Sequence, residues 1–438
     1  MPKTAPDKVH EVLGQYILAD GYDIVIDLEK SQGSYIVDEI SGKKYLDMWS
    51  CFASVPLGWN VPEVVERKDE LLPSAINKPS NSDLYSTYMA DFVDTFGRVA
   101  KPDHFKYMFF VSGGALAVEN AIKAAFDWKT RKLQAQGIEA TEHLKIIHFR
   151  QAFHGRSGYT LSLTNTADPR KTMYFPKFDW PRVTNPKLSF PVTKENTQKV
   201  VEMEEQAIQE IKEAVKQNEN QIAGLLIEPI QGEGGDNHFR DEFFVKLREI
   251  CDEEDMMFIL DEVQTGFGLT GKMWAHEHNS VNPDIIAFGK KAQACGIMST
   301  DRIDEVKYNV FHESSRISTT WGANLVDMVR AMMYCEVIEE NNILDNVVKQ
   351  GEYLLEKLTE LQENYPDIVS NVRGTGLMCA FDLPDTKMRD DLQDKIFEEG
   401  AIIIGSGTNS IRFRPYLNVS KDEIDEGVEI VNRALNNL

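Results

Sequence analysis

Short apolar runs alternate with stretches of helical periodicity from about residue 85 to about residue 330. The runs are 107–111, 145–149, 222–227, 256–260 and 284–288, and charged helical stretches bound four of them. Near-continuous apolar runs of this length are strands buried on both faces. The pattern therefore predicts an α/β fold around a mostly parallel sheet covered by helices. In such sheets ligands bind at the carboxyl ends of the strands. Each run here is followed at that end by a residue of chemical interest: Ser112-Gly-Gly114, His154, Glu228, Asp261 and Lys290.

The pattern differs on either side. Residues 1–60 read as a helix followed by short strands at 23–27, 34–38 and 44–47, the last two joined into a hairpin by the turn at 40–43. Residues 331–438 begin with a long helix. A run at 372–382, a helix near 386–399, a strand pair near 402–404 and 411–413, and a helix from Lys421 follow. This predicts a large α/β domain at 61–329 and a smaller, discontinuous α+β domain made of 1–60 and 330–438. The segment 165–200 is rich in Pro, Lys and Thr and reads as a long loop, a common place for function.

A length of 438 residues fits two or three domains. The net charge is −23, from 47 Lys and Arg against 70 Asp and Glu. That balance argues against nucleic acid or an anionic membrane as a partner and mildly favours the encounter of a cationic substrate. Five scattered cysteines without a CxxC pair, and nine histidines without metal-ligand spacing, predict a reducing cytoplasm and no metal site. The N-terminus lacks the apolar core of a signal peptide. No apolar run approaches the ~20 residues a membrane span requires.

Lys290 and Asp261 stand 290 − 261 = 29 residues apart, about one strand–helix–strand unit, each at a strand tip. This is the pair that pyridoxal phosphate needs: an amine to form a Schiff base and a carboxylate to keep the pyridine nitrogen protonated. Gly113, Gly114 and Ala115 open a helix whose N–H groups and dipole make an anion site, though a plain glycine turn has the same spelling. Neither the Walker nor the GxGxxG spacing is present, which disfavours a nucleotide. Phe153 is placed to stack on a flat ring, and Arg156 is either a carboxylate clamp or a solvated loop arginine. Glu233, in a glycine-rich loop, is either an arginine partner or a solvated acid. Gln264 can donate to a phenolate oxygen, and the hydroxyls at 319–320 suit phosphate or a turn. Arg412 and Arg414 share one face of an alternating strand. Facing inward, they need anionic partners.

Taken together, these residues resemble the class III (ornithine-type) pyridoxal-phosphate aminotransferases of fold type I, along nearly the whole chain. The most specific strings are Glu228-Pro-Ile-Gln-Gly-Glu233, Asp261-Glu-Val-Gln-Thr-Gly266 and Gly289-Lys290. Asn77-Lys-Pro-Ser-Asn-Ser-Asp83, Phe175-Pro-Lys-Phe-Asp-Trp-Pro181 and Phe288-Gly-Lys-Lys-Ala-Gln-Ala-Cys-Gly296 are similar to the lysine ε-aminotransferase branch of that class. The usual class III phosphate loop reads SGSEA. Gly114-Ala-Leu-Ala departs from it and is similar to the lysine branch.

The resemblance implies a seven-stranded-type sheet and a homodimer with shared active sites. It implies a Schiff base on Lys290 rather than Lys291, Asp261 on the ring nitrogen, Gln264 on the ring oxygen, and Phe153 stacked with His154 nearby. Gly114 and Ala115 would bind the phosphate, with Thr320 of the partner subunit. Arg156 would hold a substrate carboxylate, and Glu233 would pair with Arg412 when L-lysine is bound and release it for 2-oxoglutarate.

Overall fold

The structure is a computed structural model, described here over residues 3–139 and 143–438. A seven-stranded sheet runs in the order Tyr107–Val111, Cys295–Ser299, Ile285–Phe288, Met257–Asp261, Ile222–Ile227, Lys145–Phe149, Arg182–Val183. Neighbours pair in parallel except Cys295–Ser299, which is antiparallel to both strands beside it. The central strands are apolar on both faces because both faces are covered. Leu225, Ile227, Phe258, Leu260 and Ile286 enter one apolar cluster. Their sequence neighbours Ala223, Leu226, Met257, Ile259 and Ile285 enter the other. The helix Gly114–Ala135 lies on the second side and buries Val118, Ile122, Ala125 and Trp128 against it.

Two strands of this sheet escape the apolar pattern. Cys295–Ser299 follows a lysine-rich turn and carries Gly296, whose Cβ would lie 2.1 Å from the Phe109 carbonyl oxygen. Close backbone approach, rather than apolar bulk, selects that residue. Arg182–Val183 is too short to leave a pattern. It falls in the stretch expected to be one long loop, which instead holds the turn Pro169–Lys171, this strand, and the start of the helix Lys194–Gln217.

Near the chain ends, Lys44–Asp47 is hydrogen-bonded on one side to Tyr35–Val37, antiparallel, and on the other to Ala401–Ile402, parallel. A four-stranded antiparallel sheet runs Ser370–Thr375, Met378–Asp382, Ser410–Phe413, Ile404–Ser406. The strand expected at 23–27 does not form: only Ile26 bridges to Asp38. Asp27 turns the chain instead, its Oδ1 accepting from the N–H groups of Glu29 and Lys30. The single long helix expected after 330 is two, Leu325–Glu340 and Ile343–Asn364, broken at Asn342 with φ 51°.

Directly after Lys44–Asp47, four consecutive non-glycine residues, Ser50, Cys51, Phe52 and Ala53, have φ between 41° and 63°. Each left-handed residue costs about 1–2 kcal/mol, so outside contacts must hold the turn. Asp47 Oδ1 accepts from the N–H groups of Trp49 (2.9 Å) and Ser50 (2.7 Å). Ser50 Oγ donates to the Arg414 carbonyl at 2.6 Å. Lys291 Nζ, buried, donates to Ser50 Oγ at 3.2 Å and to the Val55 carbonyl at 3.1 Å.

Candidate active site

The strand Ile285–Phe288 ends in Gly289 and Lys290, and Lys290 holds φ 50°, in the left-handed region. A Cβ on Gly289 would sit 3.0 Å from Cys295 Sγ and 3.5 Å from Gly114 Cα. The lysine's strand tip therefore meets the glycine turn at the start of the helix Gly114–Ala135. Burial pushes the Lys290 ammonium down to about 8, and the nearby Arg412 guanidinium adds to the fall. Burial also pushes the neighbouring Lys291 down, to about 7, so the left-handed backbone at the strand tip is what sets Lys290 apart.

Asp261, at the tip of the adjacent strand Met257–Asp261, is buried. His154 Nδ1 lies 2.7 Å from its Oδ2, and the Val263 N–H donates to its Oδ1 at 3.0 Å. His154 Nε2 is buried without a partner among the described residues. Glu228 ties the neighbouring loops together: its two oxygens accept from the N–H groups of Phe153 and Gly232, each at 3.0 Å. Burial pushes the Glu228 carboxyl up to about 7.

The helix start is open. Gly113 has φ 119°, and a Cβ there would meet open space, whereas one on Gly114 would lie 2.7 Å from Val263 Cγ1. A Cβ on Gly155 would lie 2.6 Å from Ala115 Cβ. The Gly113–Gly114 turn, the Phe153–His154 loop and the residues after the Asp261 strand thus pack closely at Gly114 and Gly155.

Arg412 and Arg414 do share a face, and that face is inward. Arg412 is 2% exposed and Arg414 1%. Arg414 pairs with the buried Asp236 at 2.6 Å. Arg412 NH2 pairs with Glu233 Oε2 at 2.8 Å. Both guanidiniums donate to Gln264 Oε1, at 3.3 and 3.2 Å, which fixes the amide oxygen and leaves Gln264 Nε2 as a free donor among the described residues. Gly232 lets this amide lie close to the backbone, since a Cβ there would come 2.0 Å from Gln264 Oε1 and displace it. Glu233 has a second cation, Lys171. Burial would raise the Glu233 carboxyl, but Arg412 and then Lys171 outweigh it and hold it below its usual value.

Arg156 is exposed on the loop after Phe153 and makes no side-chain hydrogen bond or ion pair among the described residues. Thr320 is also exposed, on a turn anchored where Ser82 Oγ donates to the Thr319 carbonyl and the Asn81 N–H to the Trp321 carbonyl. No hydrogen bond joins it to the Lys290 cleft among the described residues. Two participants went unread in the sequence. Val263 is apolar and carries no chemical signal beyond following Asp261-Glu. Lys171 lies in a segment whose composition says only that it is irregular.

This donor set fits pyridoxal phosphate. An amine, a fixed buried carboxylate with a histidine behind it, an amide donor, a half-buried phenyl ring and an open glycine-led helix start surround one cleft. A family model described as "Aminotransferase class-III" matches residues 17–435. The L-lysine-epsilon aminotransferase of Mycobacterium tuberculosis is 52% identical over 435 residues, covering 99% of this chain and 96% of the relative. That of Amycolatopsis lactamdurans is 49% identical over 431 residues, covering 98% and 95%. The solved structure of the lysine aminotransferase from M. tuberculosis in the internal aldimine form superposes with a TM-score of 0.97 at 51% identity, covering 99% of this chain and 100% of that one.

Proposed function

The chain belongs to the class III aminotransferases, and on that premise we propose that it moves the ε-amino group of L-lysine to 2-oxoglutarate. The products are 2-aminoadipate 6-semialdehyde and L-glutamate. Pyridoxal 5′-phosphate, the family's cofactor, supplies the carbon that exchanges amines and a ring that delocalises an electron pair.

In this reading Lys290 Nζ is the covalent anchor and, once released by the donor amine, the base. It takes a proton from the substrate's ε-carbon and returns it on the other side of the exchange. An amine lowered to about 8 is the right base near neutral pH, because a useful fraction is uncharged. Asp261, oriented by His154, holds the ring nitrogen protonated. Gln264 Nε2 donates to the ring oxygen and Phe153 covers one face. The N–H groups of Gly114 and Ala115 take the phosphate, joined by Thr320 of the partner subunit in a homodimer. Exposed Leu84, Tyr85 and Trp321 beside that turn support such a contact. Arg156 takes the substrate's distal carboxylate. Glu233 masks Arg412 while lysine is bound and uncovers it for the carboxylate beside the reacting carbon of 2-oxoglutarate.

One observation carries the reading: the masked, buried Arg412 beside Lys290. A bare arginine there would suit only the dicarboxylate, and no arginine would suit only the donor. The test is the absorbance spectrum of the purified protein with cofactor, followed by L-lysine, ornithine or 4-aminobutyrate with 2-oxoglutarate as acceptor. L-lysine should bleach the long-wavelength band and turn over fastest. Lys290→Ala should remove both the band and turnover, and a variant that keeps them sinks the assignment. Glu233→Ala should impair lysine selectivity more than the 2-oxoglutarate half-reaction, and equal losses would refute the switch.

A further inference from the structure

The carboxylate that masks Arg412 is shared. Glu233 Oε2 faces Arg412 NH2 at 2.8 Å while its Oε1 faces Lys171 Nζ. These two cations differ in what they can do. Arg412 is 2% exposed, lies on the inner strand Ser410–Phe413 of its sheet, and is held by Gln264, so it cannot follow its partner. Lys171 ends the short turn Pro169–Lys171, which Asp168 caps by accepting from the Arg170 N–H. Its side chain is 24% exposed, and Glu233 is its only ion-pair partner among the described residues. Its Nζ also lies 5.7 Å from the centre of the Phe153 ring, which puts it over the same cleft. A cavity of about 810 Å³ is lined by Phe52, Asp168, Lys171, Glu233 and Arg412 among others.

We propose that Lys171 is the counter-ion that keeps Glu233 when an incoming dicarboxylate takes Arg412, and is thereby a specificity-determining residue for the acceptor half of the exchange. The inference rests on the transamination reading above. It follows from charge. With the mask closed, one carboxylate neutralises one buried arginine. When the acceptor's carboxylate arrives, Glu233 must withdraw, because two partly desolvated carboxylates on one guanidinium repel each other. Without Lys171 the withdrawn Glu233 would be half-buried and unpaired beside a second anion. With Lys171 it turns about the contact it already has, loses only the Arg412 side of its pairing, and every charge keeps a partner. Among the described residues Lys171 is ion-paired to Glu233 and not to Arg412, so it acts through the position of Glu233.

The test uses the cofactor-loaded enzyme with Lys171→Met and Lys171→Arg. The two half-reactions are followed separately by absorbance, and the dissociation constant of glutarate, a dicarboxylate that cannot react, is measured by calorimetry. Lys171→Met should raise both the half-saturating 2-oxoglutarate and the glutarate constant about tenfold while moving the lysine half-reaction less than about twofold, and Lys171→Arg should restore both to within about threefold. Equal losses in the two halves, or an unchanged glutarate constant, would overturn the proposal while leaving the transamination reading intact. A wild-type enzyme that consumes no 2-oxoglutarate with any amine donor overturns both.

Discussion

Lys290 combines a left-handed backbone with an ammonium pushed down to about 8. Only the uncharged amine attacks an aldehyde, so capture of pyridoxal phosphate by the cofactor-free protein should speed up as pH rises and level off above about 8. Stopped-flow absorbance across a pH series checks this, and a midpoint at an ordinary lysine value would show that the cleft does not perturb the amine. Asp261→Asn keeps the shape but removes the charge that His154 steadies. The cofactor should still attach, while turnover falls by about 10²–10³-fold, the scale of losing one preorganised electrostatic group. An attached cofactor with unchanged turnover would contradict the role given to Asp261. At this scale the sequence was informative wherever a strand delivered the residue. Lys290, Asp261 and Arg412 stand at or on strands, where direction follows from alternation, whereas His154 lies on the loop after Lys145–Phe149. Lys171 was not readable, because an irregular segment states nothing about which carboxylate its lysine will meet. The roles of Arg156 and Thr320 came from resemblance, since neither side chain has a partner here that reveals a task.

Between elements, backbone proximity is as important as apolar pattern. The helix Ile343–Asn364 crosses the turn between Ser370–Thr375 and Met378–Asp382 so closely that a Cβ on Gly351 would lie 2.4 Å from Gly376 backbone atoms. Gly351→Ala should destabilise the protein by about 1–3 kcal/mol, as overpacking does elsewhere, read as a lower urea midpoint. The turn at 50–53 invites a second test. Lys291→Met removes the donor shared by Ser50 Oγ and the Val55 carbonyl and should lose about 1–3 kcal/mol, with Lys290 still able to bind cofactor. A variant as stable as the parent would show that Lys291 does not hold the turn. Four apolar runs, at 145–149, 222–227, 256–260 and 284–288, were legible as strands because burial on both faces leaves an unbroken signature, and the edge strand Tyr107–Val111 was legible from its aromatic run. Cys295–Ser299 was not, because a glycine and small residues suit its tight place beside Phe109. The run at 23–27 misled because three consecutive β-branched residues read as a strand, whereas Asp27 commits its carboxylate to a turn.

For the whole molecule, a net charge of −23 implies self-repulsion in the compact state. Raising sodium chloride from about 0.05 to about 0.5 M shortens the screening length severalfold and should raise the melting temperature. A fall would mean that paired surface charges dominate instead. We propose the division into a domain at 61–329 and a second formed by 1–60 with 330–438, because Lys44–Asp47 is bonded to Ala401–Ile402. That bond bears on the order in which the protein is made. Asp47 leaves the ribosome 401 − 47 = 354 residues before the first residue of the strand that flanks it. At about 5–20 residues per second, the interval is roughly 20–70 s. Throughout it Lys44–Asp47 has one unpaired edge and the left-handed turn behind it lacks the Arg414 carbonyl, while Lys291 arrives 291 − 47 = 244 residues after Asp47. Residues 44–53 are thus fixed in place only after residues 401–414 have been made, and a chain released before residue 401 leaves Lys44–Asp47 with an open edge.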